Sequence, residues 1–419
     1  MWNQTMRKIL IVGGGQAGLQ LALGLLRHDY DVTLMTARTA EEVRNGRAVS
    51  IQAQFADALT FEREYGLAQW DEEAPKLRRC RYSFGGYPDL GVPGFDWVGR
   101  IHSPAQSLDE RLKMPVWQEM FEEQGGKVVV HPVTSSDLDV LAGMYDLTVV
   151  AAGHSGLAEM FAPNTERTLP DVPANITPLA YVRGSDDPEP ELAEIHLDPE
   201  FGFLVTIPTL SVTGPCQLIY LIGQEGGKLS TWPSRIRPQE HLDLMLDVLK
   251  EHLPEQHARF AGAELADPRS VAVDYSTPLV RHPVAHLPSG GKVMGLGDTV
   301  LVSQPAMCQD ANNASKSAEI ALRNILAQDG RPFDEDFMHR TFDEFWDYAH
   351  YLAGTVAATL LAPPPYLLEL YIAGNAHQAI ADRFINGFND PADFDKWVTS
   401  EEKGRAFLQE VTGSPSITG

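Results

Sequence analysis

Cysteine is scarce in this chain of 419 residues: there are three, Cys80, Cys216 and Cys308, at long spacings and with no CxxC pair. That excludes a disulfide framework and gives no support to a zinc ribbon or a thioredoxin-like redox pair. Basic residues are also short, 33 Lys and Arg against 57 Asp and Glu, for a net charge of −24. Such a balance argues against nucleic acid and anionic membrane surfaces as partners. No apolar run approaches the ~18–20 residues of a membrane span, and the short run Ile9–Val12 leads straight into glycines, unlike a secretory leader. The 13 histidines fall in no HExxH or other metal-ligand spacing, and no G-x-S-x-G turn offers a nucleophile, so no metal site is expected. A reducing, cytoplasmic setting with free thiols is the expectation.

What is present begins with a βαβ unit. Lys8-Ile9-Leu10-Ile11-Val12 reads as a buried parallel strand, Leu19–Leu26 as a helix and Asp31–Thr36 as the next strand. Between them Gly13, Gly15 and Gly18 form G-x-G-x-x-G, with Gln16 and Ala17 at the start of the helix. The first glycine makes the tight turn, the second lets a pyrophosphate approach the backbone, and the third lets helix pack on strand. The helix start adds free N–H groups and the positive end of its dipole. The acidic residue expected on the ribose about 20 residues later is missing. The second strand ends at Thr36, followed by Ala37 and Arg38, which weakens a nicotinamide reading more than a flavin one.

Further strands are expected at 127–131 and 145–153, the latter ending in Ala152-Gly153. A return to the first sheet is expected at Val293–Leu296, followed by Gly297-Asp298. The order G-x-G-x-x-G, A-x-G, G-D, helix is how a chain encloses an extended FAD. Residues 165–200 are rich in Pro, Asp and Glu, 201–224 read as a hairpin, and 240–253 as an amphipathic helix. Beyond Asn313 the pattern is helical, broken at Pro363-Pro364-Pro365. The expected fold is α/β. A Rossmann-like FAD-binding part (1–165 and 270–330) joins a mixed-sheet substrate part (166–269 with part of 45–110) and a helical C-terminal region (331–419).

The chain resembles the two-component styrene and indole monooxygenases nearly end to end. The matching segments include IVGGGQAGLQLALGL, RTAEEVRNGRAVSIQAQF, YDLTVVAAGHSG, IPTLS, GLGDTVL, LLAPPPYLL and GFNDPADFDKW. The resemblance implies a GR2-type flavoprotein that takes reduced FAD from a separate NADH-dependent flavin reductase. It then uses O2, through a flavin C4a-(hydro)peroxide, to epoxidise a small aromatic substrate. A homodimer is also implied. The cofactor contacts this suggests are Gly13, Gly15, Gln16, Ala17, Gly18, Thr36, Arg38, Arg47, Ala152, Gly153, Gly297, Asp298, Pro305, Gln309, Ala311 and Asn312. Ser50, Gln52 and Gln309 are expected beside the reacting atoms. Val49, Gln54, Leu77, Cys80, Ala105, Thr209, Pro305 and Ala306 are expected around the substrate.

Within the resemblance, Ser50, Gln52 and Ala105 match the indole branch, where the styrene branch typically carries Asn, Val and Ser. Gln54 matches neither branch, and Leu77 and Cys80 replace the usual Val or Ile. Cys308-Gln309-Asp310 stands where the family usually has Gly-Gln-Gly, so crowding or charge is expected against the flavin. Two other functions are weighed: a single-component NAD(P)H-dependent hydroxylase and a non-catalytic flavin-binding protein.

Overall fold

A computed structural model describes residues 6–50, 53–86, 91–153, 156–185, 189–233 and 235–413. The apolar strands of the opening unit pair in parallel: Lys8–Val12 lies between Asp31–Thr36 and Leu147–Val150. Lys127–Val130 and Lys292–Gly295 extend the sheet in parallel on its two sides, and Val284–His286 closes one edge antiparallel. Side chains alternate across a strand. Ile9 and Ile11 therefore pack under the helix Gln16–Leu26, together with Trp117 and Leu322, while Leu10 and Val12 pack on the other face with Phe342 and Phe345. Burial on both faces explains why the strand reads as an unbroken apolar run.

The second sheet has nine strands. Asn175–Arg183, Gly214–Gln224, Gly202–Ser211 and Leu192–Asp198 lie side by side and antiparallel. Leu77–Phe84 joins Leu192–Asp198 in parallel and carries the long strand Phe95–Ser107 beyond it. The 201–224 hairpin thus forms as its pattern indicates. The Pro- and acid-rich stretch 165–200 also supplies two strands, which its composition concealed. Val271–Ser276 pairs with Asn175–Arg183, so residues grouped by sequence with the nucleotide-binding part add a strand to the large sheet.

Alternation decides what each face of this sheet meets. Ile219 and Leu221 pack on the helix Pro238–His252, through Leu242, Met245 and Leu249. Leu218, Tyr220 and Ile222 face inward, toward the C-terminal helices that bring Tyr371, Phe384 and Trp397. Among the described residues no single helix is long and apolar enough to cross a membrane. One pair bent by 85°, Glu335–Leu361 with Pro365–Ala373, has the length and composition. Its residues Phe342, Leu352, Val356 and Leu367 are buried inside the protein.

Candidate active site

The three motif glycines divide into two kinds. Gly13 has φ +126°, and a Cβ there would sit 2.0 Å from the Ala151 carbonyl oxygen; a Cβ on Gly18 would sit 2.0 Å from the Gly13 oxygen. Both are glycines because backbone packs against them. Gly15 has nothing within 4 Å of the same position. Its open side belongs to a groove of about 1100 Å³ lined by Gly13, Gly15, Gln16 and Ala17 at one end. The helix that follows has no side-chain cap and no acidic residue in its first turn, which leaves its first N–H groups available to a phosphate.

The rest of the chain closes round this groove. The Ala152 N–H donates to the Thr299 hydroxyl (3.1 Å), which donates to the Gly153 oxygen (3.3 Å), so the A-x-G and G-D segments are tied together. Ala152, Gly153 and Asp298 line the groove, whereas Gly297, with φ +59°, is a buried turn beside Ala17. Thr36 and Arg38 form part of the rim. Ala37 and Arg38 follow Thr36 directly in place of an acidic residue, but Glu110 reaches the groove from the start of the helix Glu110–Glu123. Ser50 Oγ donates to its Oε2 at 3.0 Å. Burial raises the Glu110 pKa, against the hydrogen bond from Ser50 and the charge of Arg38. Glu110 escaped the sequence reading because nothing local separates it from any acidic residue at a helix start.

At its other end the groove meets the inward face of the large sheet at Thr177, Leu179 and Tyr220, together with Val49, Ser50, Asp310 and Ala311. Val49 is an apolar side chain with 50% of its surface exposed, and that surface is groove. Gln52 lies outside the described residues. Arg47 is exposed and is not among the lining residues.

A buried polar cluster holds the strand end just beyond this segment. Gln54 Nε2 donates to Glu62 (2.7 Å) and Gln54 Oε1 accepts from Lys113 Nζ (2.5 Å), while Lys113 also pairs with Glu62. Gln16 Nε2 donates to the same Glu62 oxygen at 3.2 Å. Gln54 is thus placed in this cluster and not on the groove wall. Asn312 adds a second tie, accepting from the Phe55 N–H (2.9 Å) and donating to the Ala53 oxygen (3.0 Å).

Leu77, Cys80, Ala105 and Ala306 do come together, in one apolar core with Val205, Ile207 and Met307. They are packed there and do not line the groove. The Thr209 hydroxyl, fully buried, is taken up by Ser107 Oγ (2.9 Å) and the Ile207 oxygen (3.0 Å). Pro305 opens a buried turn that ends at Cys308, which is left-handed at φ +51°. Gln309 Nε2 donates to the Phe388 oxygen (3.2 Å), toward the C-terminal helices. Burial, and then the charge of Asp310, push the Cys308 thiol up to about 12, so it stays protonated and is no nucleophile. Among the described residues no group of three His, Cys, Asp or Glu could hold a metal.

The geometry is that of an extended dinucleotide site whose far end opens on the inward face of the large sheet, at Thr177, Leu179 and Tyr220. Comparisons with known proteins agree. Residues 153–259 match the family described as "styrene monooxygenase A putative substrate binding domain". The chain is 31% identical over 412 residues to a styrene monooxygenase StyA of Pseudomonas sp., covering 95% of this chain and 97% of that protein. It is 30% identical over 411 residues to the StyA of Pseudomonas fluorescens, with the same coverage. Solved structures share the fold at low identity. The flavin-dependent brominase Bmp2 superposes with TM-score 0.68 at 13% identity, over 97% of this chain and 99% of its own. The 2-methyl-3-hydroxypyridine-5-carboxylic acid oxygenase superposes with TM-score 0.60 at 14% identity, over 89% and 97%. Near-complete coverage at this identity is decisive: the chain belongs to the styrene monooxygenase family.

Proposed function

We propose that this chain is an FAD-dependent monooxygenase, the oxygenase half of a two-component system that epoxidises small aromatic alkenes such as styrene and indole. The observation that carries this reading is the continuous groove, with a glycine cradle at one end and the inward face of the large sheet at the other. FAD supplies the reducing electrons and the activation of O2, for an overall balance of alkene, O2 and reduced FAD giving epoxide, water and oxidised FAD.

The protein's part is placement and shielding. The start of the helix Gln16–Leu26 binds the pyrophosphate through backbone N–H groups. Glu110, Arg38 and Ser50 offer hydrogen-bonding groups to the hydroxyls along the dinucleotide. Val49, Leu179 and Tyr220 exclude water from the end where the aromatic ring reacts. None of these steps needs a side-chain acid or base at the substrate. A separate NADH-dependent reductase supplies the reduced FAD, since the one G-x-G-x-x-G is committed to FAD and no second nucleotide motif is evident. Three free cysteines suit a cytoplasmic setting.

Ser50, with Gln52, favours indole over styrene; Ala105 is packed in the core and does not line the groove. One net hydrogen bond is worth about 0.5–1.5 kcal/mol, a several-fold preference in kcat/KM. The test supplies reduced FAD and air with indole and styrene in equal amounts, and in parallel NADH with oxidised FAD and no reductase. Oxygenation in the first and none in the second is expected. Full turnover with NADH alone would refute the two-component reading, and no product in either would refute the monooxygenase.

A further inference from the structure

A second cavity, of about 530 Å³, lies on the same face of the large sheet as the groove. Along Asn175–Arg183 the alternate residues share one face. Thr177 and Leu179 line the groove, and Asn175 lines the cavity. Along Gly214–Gln224 the same holds for Tyr220 in the groove and Ile222 in the cavity. The segment after Val302 divides the two: Ser303 lines the groove, and Gln304 and Ala306 line the cavity. The cavity therefore adjoins the turn on which the cofactor contacts are expected.

Its walls are apolar and aromatic, with Phe84, Phe95, Phe203 and Leu368 among them. Asp198, Glu200, Gln224, Glu225 and Gln304 line it as well, and two further polar side chains are buried with atoms left unpaired. Asn175, 2% exposed, and Tyr371, 1% exposed, both line the cavity. Asn175 Nδ2 and the Tyr371 hydroxyl are buried with no hydrogen-bond partner among the described residues. The Tyr371 ring is held by an edge contact with Tyr82 (5.7 Å) and another with Phe384 (5.2 Å), and its backbone oxygen accepts from Trp97 Nε1 (2.9 Å). Those contacts hold the ring among the aromatic side chains of the core.

A buried donor left unpaired destabilises the fold, so a protein that keeps two of them beside aromatic side chains gains from a ligand that pairs them. A purely hydrocarbon ring would leave both donors unpaired.

We infer that this cavity binds a small aromatic molecule carrying a hydrogen-bond-accepting oxygen, held by Asn175 and Tyr371. Given the proposed epoxidation, on which this last step rests, the oxygenated product belongs to that class and the alkene does not. The cavity then takes up product beside the reaction site and leaves the groove end to the alkene.

Acetophenone and ethylbenzene, alike in size but differing in the acceptor, are the probes. They are titrated calorimetrically into the full chain saturated with FAD, which keeps them out of the groove. Acetophenone should bind about tenfold tighter, and Tyr371→Phe should cut that ratio to about threefold or less, since one net hydrogen bond is worth a few-fold to about tenfold. The lost hydroxyl has no partner in the protein, so the thermal midpoint should not fall; Asn175→Leu repeats the test from the other wall. Equal binding of the two probes to the unmodified chain, or a ratio that survives both substitutions, would overturn the inference. Alkene oxygenation is measured on the same preparations. Its absence sinks the functional reading, whereas its presence with a probe ratio of one sinks only the cavity.

Discussion

The nucleotide-binding half and the large-sheet half of this molecule are built on different rules. In the first, the proposed cofactor contacts are backbone: Gly13, Gly15 and Gly18 leave room by lacking a side chain, within six residues of one another. In the second, the groove is walled by side chains gathered from far apart, such as Val49, Thr177 and Tyr220. A site made of local backbone can be read from a short string of residues. A site made by sheet pairing appears only when the strands are placed.

The sharpest way to break that contrast is within the glycine motif itself. Gly15→Val adds atoms to open groove, so FAD binding should be lost while the thermal midpoint stays near that of the parent. Gly18→Ala forces a methyl toward the Gly13 oxygen and should instead cost stability, about 1–3 kcal/mol or more by overpacking. Equilibrium FAD titration beside thermal unfolding reads both. Loss of stability in Gly15→Val would mean that the room beside Gly15 is not a ligand's.

The two halves meet at the Lys113–Glu62 pair, which is fully buried and bonded to Gln54 from one half and, through Glu62, to Gln16 from the other. Removing one partner of such a pair leaves an uncompensated charge, at about 3–5 kcal/mol. Lys113→Met should cost that much by denaturant unfolding, and the double substitution Lys113→Met with Glu62→Leu should regain most of it. A single substitution without effect would show that the cluster is not the joint it looks to be.

This cluster also marks where sequence reading stops. Gln54 matches neither branch of the family, and a pocket role was expected of it. Its actual partners, Glu62 and Lys113, stand 8 and 59 residues away, and no local pattern links the three. The strands of the first sheet were legible because they are apolar runs buried on both faces. Asn175–Arg183 was not, because its proline and the acidic residues around it resemble a loop. Leu77, Cys80 and Ala105 were expected around the substrate, and they pack together in a core that no composition separates from a cavity wall.

A smaller effect should distinguish the halves by pH. In the large-sheet half His241 accepts from Trp232 Nε1 at Nδ1 (3.2 Å) and donates from Nε2 to the Leu179 oxygen (3.1 Å), a pattern only the neutral ring satisfies. Burial lowers its pKa from 6.5 to about 4, and burial does the same to His196, to about 4. The unfolded chain takes up these protons near pH 6.5 and the folded protein only near 4. Their contribution is therefore whole above pH 6.5 and lost as the pH falls toward 4. The histidines His28, His131 and His286 of the other half are exposed. The thermal midpoint should fall across that window, and His241→Gln should flatten the fall. An unchanged slope would remove the histidine from the account.

The finest division lies between two neighbours in one turn. Cys308 and Asp310 stand where the family usually has glycine, and the structure separates their consequences. Cys308 adopts φ +51°, a left-handed conformation that costs a non-glycine residue about 1–2 kcal/mol. Its thiol meets the apolar core and is not on the groove wall. Cys308→Gly relieves the backbone but gives up packing and loosens the unfolded chain, so stability should change by less than about 1 kcal/mol. FAD affinity should not move. Asp310 lines the groove at the first position of the helix Asp310–Ala327, where a carboxylate is favoured by about 0.3–1 kcal/mol. Asp310→Asn keeps the helix start and removes a carboxylate from the groove wall; if the anionic reduced flavin lies in that groove as proposed, reduced FAD should bind several-fold tighter at slightly lower stability. If Cys308→Gly changes the affinity for reduced FAD and Asp310→Asn does not, the crowding in this turn is steric and charge plays no part in it.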